Sequence, residues 1–205
     1  MRKLNLGCAS QNIKGWINVD YSIGAFVSKI PLLPFFSKRL GLFRTDWSRD
    51  IYIHDLRKKF PWADNDVDFI YSSHTLEHLT RQEGHLFIQE CFRVLKPGGI
   101  VRIVVPDLSV IVAQYSRGDL PAHHFVEELG VLYDEPRNVL MKFMLPYISS
   151  PHKCMYDKKT LLSELRQAGF DAQLKEPFES LIADIKDVED MSRTIGAVIA
   201  EAVKS

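Results

Sequence analysis

The chain has no surplus of either charge: 26 Lys plus Arg balance 26 Asp plus Glu over 205 residues. A protein that holds nucleic acid through bulk charge needs a basic excess, so no nucleic-acid partner is expected. Cysteine is scarce, and Cys8, Cys91 and Cys154 never fall at CxxC spacing. That excludes a disulfide framework and a cysteine zinc site and leaves three reduced thiols. No run of about 18 apolar residues exists to cross a bilayer, and Met1-Arg2-Lys3 leads directly into an apolar run without room for a secretory leader. A cytoplasmic location is the expectation. Internal repeats and low-complexity tracts are also missing, which argues against a solenoid or a disordered tail. Neither a GxGxxG after the first apolar run nor a Tyr-x-x-x-Lys pair occurs, so a nicotinamide-dependent oxidoreductase lacks its usual signals.

What is present is an alternation of strand and helix patterns in a composition ordinary for a soluble globular chain, 46% hydrophobic and 25% charged. The length suits one domain over 1–205, with insertions at about 21–50 and 118–156. Short apolar runs at 3–7, 16–20, 51–56 and 67–73 read as strands. The link between the first two is too short for a full helix. From Thr80 to Leu95 apolar residues recur at helical spacing, with Thr80 as N-cap and Glu83 as its capping-box partner, and Pro97-Gly98-Gly99 ends the helix. Ile100–Val105 follows as a strand, so residues 67–105 spell a right-handed βαβ unit with parallel pairing. A helix is predicted from about Leu108 to Tyr115 and another over 157–168, stopped by Gly169. Residues 170–178 are a strand candidate. Residues 195–203 suit a helix by propensity or a closing strand.

Three strand ends carry candidate ligand groups. Gly7 offers a position without Cβ where the chain turns after the first strand. Asp20, at the tip of WINVD, has a carboxylate able to accept both hydroxyls of a ribose, although a capping aspartate looks the same. Asp55 can accept an adenine amino group while Leu56 covers the ring, or be a plain loop aspartate. The coincidence of the three, in order, points to a nucleoside cofactor.

The segments LNLGCAS (4–10), GWINVD (15–20), HDLRKKFPWADNDVDFIYSSHTLEHL (54–79), FRVLKPGGIVRIVVPDL (92–108) and LLSELRQAGF (161–170) resemble the class I S-adenosylmethionine-dependent methyltransferases, especially small bacterial ones of the type 11 group. The resemblance implies an α/β, Rossmann-like fold: a seven-stranded, mostly parallel sheet with helices on both faces, closed by Ile195–Val203. It also implies S-adenosylmethionine as cofactor. Gly7, Cys8 and Ala9 then lie under its methionine part, Asp20 takes the ribose, Asp55 and Leu56 take the adenine, and Ser73 and His74 face the sulfonium. Where this chain has Gly7-Cys8-Ala9 the family usually reads GCG, and Ala9 is expected to fit only with a negative φ.

The expected reaction is methyl transfer to a small-molecule or saccharide acceptor; a non-catalytic nucleoside-binding or scaffold protein is the alternative. His74 is the general-base candidate, because imidazole titrates near neutrality. His74, Glu77 and His78 fall at i, i+3 and i+4, with His152 able to join them as ligands. Because Glu77 and His78 precede a helix start, where such groups satisfy free amides, no metal is assigned. Residues 23–47 combine many apolar side chains with Lys29, Lys38, Arg39 and Arg44. They read as packing on the sheet with a lid role, since Pro31 and Pro34 work against a long membrane-lying helix.

Overall fold

Alternating apolar residues in short runs form seven strands in a computed structural model, which describes residues 1–30, 47–133 and 150–205. In chain order these are β1 (Lys3–Leu6), β2 (Ile17–Asp20), β3 (Tyr52–Ile53), β4 (Val67–Ser73), β5 (Leu95–Pro106), β6 (Phe170–Leu174) and β7 (Ala197–Lys204). They build one sheet in the order β3-β2-β1-β4-β5-β7-β6. The pairs from β3 through β5 are parallel, whereas β7 runs antiparallel between β5 and β6. Ala197–Lys204 is therefore the closing strand, not the helix its alanines favour. Its two-sided pairing supplies hydrogen bonds and packing that outweigh a propensity difference of well under about 1 kcal/mol per residue.

The period of two sorts side chains to opposite faces. Ile70, Val101, Ile103, Val198, Ala200 and Ala202 enter the larger core, with Leu4, Leu6 and Val19. Tyr71, Ile100, Val104 and Ile199 form a second core with Trp16, Ile182, Ile185 and Val188. Arg102 lies on the second face, fully buried. The strand reading of IVRIVV gave no sign of this, because a central strand covered on both sides makes even its polar position an interior one.

The helices among the described residues are α1 (Ile23–Lys29), α2 (Arg81–Val94), α3 (Leu108–Arg117), α4 (Ala122–Glu128), α5 (Lys158–Gln167) and a short α6 (Ile185–Val188). Thr80 and Glu83 form the predicted capping box of α2, which buries Phe87, Ile88, Cys91 and Val94 against the larger core. Leu86, an apolar residue of the same run, is 46% exposed. At the other end of α2, the Lys204 ammonium donates to the carbonyl oxygens of Phe92 (2.7 Å) and Leu95 (2.8 Å), where unpaired carbonyls favour a cation. Pro97-Gly98-Gly99 does not mark the helix end: Leu95 already pairs with Val67, and these residues sit in an irregular stretch of β5. β3 is shorter than the run 51–56 because the chain leaves the sheet edge before Asp55. None of the described helices is long and apolar enough to cross a membrane. Most of the basic, apolar segment 23–47 lies outside the described residues. At its ends, α1 packs Ala25 against Cys8 and Ile51, with Trp47 beside them.

Candidate functional site

Parallel pairing of β1 through β4 puts their carboxyl ends on one edge, and the sheet order reverses between β1 and β4. A crevice at that switch point is where open α/β sheets take ligands. The predicted residues Gly7, Cys8, Ala9, Asp20, Ser73 and His74 all gather there.

The loop after β1 is fastened to β2. The amides of Gly7 and Cys8 donate to the Val19 carbonyl at 2.9 and 3.0 Å, and the Ala9 amide donates to Asp20 Oδ2 at 2.8 Å. Asp20 Oδ1 accepts from the Ser22 amide at 2.7 Å. Each carboxylate oxygen thus retains acceptor capacity beyond one backbone bond. Ala9 contradicts its expected negative φ: it has φ +50°. The bond to Asp20 and the anchored amides before it fix the turn, so the alanine accepts a conformation that costs a non-glycine residue about 1–2 kcal/mol. Gly7, at φ +73°, is needed for a reason besides the ligand. A Cβ there would stand 1.9 Å from Thr75 Oγ1, so it is glycine that lets the chain after β4 close on β1. Cys8 faces inward, 1% exposed, and burial pushes its thiol up to about 12. Only its backbone is available to a ligand.

Beyond β3 the two predicted adenine residues come partly committed. Asp55 accepts from Arg57 Nε at 2.8 Å and Nη2 at 2.9 Å, and these hydrogen bonds hold its carboxyl below the usual carboxylate range. Leu56 belongs to the larger core and is 8% exposed, so most of its side chain packs inward instead of covering a ring.

At the end of β4, Ser73 Oγ is buried with no hydrogen-bond partner among the described residues, as are Ser22 Oγ after β2 and His54 Nε2 after β3. Native folds leave few buried polar atoms unpaired. Three of the buried unpaired polar atoms among the described residues lie at this sheet edge.

His74 also stands at positive φ, +50°. Its Nε2 is 2.8 Å from the Arg193 carbonyl, which can only accept, so Nε2 carries the proton. Its Nδ1 lies 3.2 Å from Glu77 Oε1. Burial disfavours the charged imidazole, but the neighbouring Glu77 carboxylate and the Arg193 carbonyl outweigh it and raise the His74 pKa. With Nε2 donating, the one lone pair of neutral His74 is on Nδ1, and it is turned to the Glu77 carboxylate at 3.2 Å. Arg193, which the sequence reading missed, donates from Nη2 to the Ser73 carbonyl at 3.1 Å. Nothing around Met191–Arg193 has a recognisable spacing, because a long-range turn carries this arginine to the edge.

The HTLEHL segment is a 3-10 turn over Leu76–His78, not an α-helical face. His74 consequently parts from the other three candidates, while one ligand atom from each of Glu77, His78 and His152 falls within 4.8 Å of the others. The expectation that Glu77 and His78 satisfy amides at the helix start is also corrected. Thr80 caps α2, and neither Glu77 oxygen nor His78 Nδ1 has a hydrogen-bond partner among the described residues.

Residues 38–103 match the model of a methyltransferase domain family. No curated protein matches the sequence. Among solved structures, an S-adenosylmethionine-dependent methyltransferase from Methanosarcina mazei is similar at 18% identity and a TM-score of 0.53, covering 98% of this chain and 90% of that one. A protein from Pyrococcus horikoshii is similar at 13% identity and a TM-score of 0.53, covering 100% and 82%. An S-adenosylmethionine-dependent methyltransferase from Mesorhizobium loti is similar at 15% identity and a TM-score of 0.50, covering 99% and 90%. The seven-stranded sheet with its antiparallel β7 is the Rossmann-like class I methyltransferase fold.

Proposed function

From the match of residues 38–103 to a methyltransferase domain family and the class I fold, we propose an S-adenosylmethionine-dependent methyltransferase acting on a small-molecule or saccharide acceptor. The observation that carries this reading is the junction of the Gly7-Cys8-Ala9 loop with Asp20 at the switch point of the sheet, closed by the 2.8 Å bond from Ala9 to Asp20. A nucleoside with a zwitterionic tail matches what stands there. Asp20 accepts from ribose hydroxyls, and the unpaired Ser73 Oγ and His54 Nε2 supply polar contacts. The Arg193 guanidinium, held at the end of β4 by the Ser73 carbonyl, would pair with the tail carboxylate. Asp55, already held by Arg57, takes the adenine amino group with its remaining lone pairs.

The bound cofactor supplies an electrophilic methyl on a sulfonium. That methyl would go to an oxygen or nitrogen of the acceptor, with the carbon–sulfur bonding pair staying on the thioether and the acceptor's proton released. Alignment is the protein's chief contribution. We read His74 as helping through position, its ring lying between Arg193 and Glu77, with the acceptor's proton lost to solvent. The alternative, a non-catalytic nucleoside-binding protein, is favoured by Ala9, whose Cβ narrows the approach to the loop.

Calorimetry with S-adenosylmethionine, S-adenosylhomocysteine and NAD in parallel tests the proposal. Binding of the first two and not the third is expected. Binding of NAD alone overturns it, and cofactor binding without methyl transfer to any hydroxyl or amine acceptor of either class favours the alternative.

A further inference from the structure

Glu77 is 0% exposed, yet neither of its oxygens accepts a hydrogen bond from any described residue. His74 Nδ1, 3.2 Å from Oε1, is its one charged neighbour of opposite sign among the described ion pairs, and Oε2 has none. Withdrawing a carboxylate from water without donors is costly, and a fold that keeps one there has a use for its lone pairs. Next to it, the buried His78 Nδ1 is also unpartnered.

The third member comes from a distant part of the chain and is held in place with care. The amides of Lys153 and Cys154 donate to the Glu77 carbonyl at 2.7 and 3.1 Å, which ties that segment to the 3-10 turn. Gly130 opens the way for the His152 ring: a Cβ there would come within 2.7 Å of it. His152 Nδ1 lies 2.8 Å from the Leu129 carbonyl. A carbonyl only accepts, so Nδ1 is the protonated nitrogen and Nε2 keeps a lone pair. An imidazole that donates its other N–H to a backbone carbonyl is oriented and tautomer-fixed as metal-binding histidines are.

We infer that Glu77, His78 and His152 form a binding site for a divalent first-row transition-metal cation. Two imidazoles and one carboxylate suit zinc, iron, cobalt, nickel or manganese better than magnesium or calcium, which prefer all-oxygen shells. The ligand atoms lie within 4.8 Å of one another, and side-chain rotation brings them to the roughly 3.3 Å edge of a tetrahedron with metal–ligand bonds of about 2.0 Å. Three protein ligands leave a position for water or for an oxygen of another molecule. The site stands whether or not the chain transfers methyl groups.

The test uses the full chain, stripped with a chelator, in the absence of cofactor and acceptor. Titration with Zn²⁺ by calorimetry and with Co²⁺ by visible absorption is expected to give one equivalent per chain, Co²⁺ bands of low-symmetry coordination, and a rise in melting temperature. His152→Ala, at the half-buried member, and the pair His78→Ala/His152→Ala are expected to weaken binding by at least about tenfold, with the fold checked by circular dichroism. In Glu77→Gln the metal-free protein stays folded by circular dichroism and the Zn²⁺-induced rise in melting temperature disappears. A surface control, His123→Ala/His124→Ala, retains full affinity. No uptake by the wild-type chain overturns the assignment, as does undiminished affinity in the double variant or an equal Zn²⁺-induced rise in Glu77→Gln.

Discussion

Two of the clusters that bury glutamates among the described residues treat them in opposite ways. On the second face of the sheet, Arg102 is 0% exposed and every N–H of its guanidinium has a partner. Nε and Nη2 grip the two oxygens of Glu189 at 2.8 and 2.9 Å; Nη1 reaches the Glu179 carbonyl at 2.8 Å and Glu201 at 3.3 Å; Nη2 also donates to the Glu176 carbonyl at 3.0 Å. Glu201 is the β7 residue in register with Arg102, and it also accepts from the Leu181 amide at 2.9 Å and from Ser180. At the sheet edge, Glu77 is as deeply buried, its one charged neighbour among the described residues is His74 Nδ1 at 3.2 Å, and neither oxygen accepts a hydrogen bond from a described residue. The difference follows position. In mid-strand a buried charge is tolerable only when the protein itself completes its shell, and that charge then serves the fold by stitching the C-terminal segment onto β5. At strand ends, incomplete shells are where outside groups bind.

The comparison breaks most readily at Arg102. Arg102→Leu strands two buried glutamates and is expected to cost about 3–5 kcal/mol in urea unfolding; a loss under about 1 kcal/mol removes the contrast. Asp20→Ala comes next, because it leaves the Ala9 and Ser22 amides without their acceptor. A stability loss of about 1–3 kcal/mol and at least tenfold weaker S-adenosylmethionine binding are expected, and normal affinity by calorimetry sinks the ribose assignment. Glu77→Gln should shift the metal-free urea midpoint by no more than the equivalent of about 1 kcal/mol, since relief of a buried charge offsets the lost contact with His74. The smallest effect belongs to Ala9→Gly. Relief of the +50° φ, less the greater chain entropy of glycine, leaves a gain of about 0.5–1 kcal/mol in the same assay, with cofactor affinity equal or tighter. For His74, turnover of His74→Asn should keep the pH dependence of the parent chain. A shifted basic or acidic limb would restore a proton-transfer role.

Much of this was readable from local patterns. Asp20 at the end of WINVD, the Thr80–Glu83 capping box and the βαβ unit from 67 to 105 depend on neighbours within a few residues or on one strand's periodicity, so the sequence displays them directly. The family resemblance supplied the closing strand at Ala197–Lys204, which periodicity and propensity left open. Ala9 was misjudged because its φ is imposed by Asp20, eleven residues on, and by the Val19 carbonyl. His74 and Arg193 are 119 positions apart, and no spacing rule connects them.

Sequence alone determined which residue types reach the carboxyl edge of the sheet, because strand ends and turn residues are local choices. Tertiary structure alone decided which of those groups are already satisfied. The Arg193 carbonyl occupies His74, and Lys153 and Cys154 bring His152 to Glu77, whose carboxylate has no hydrogen-bond donor among the described residues. Hydrogen-bond satisfaction depends on distance in space, and long-range packing sets that distance.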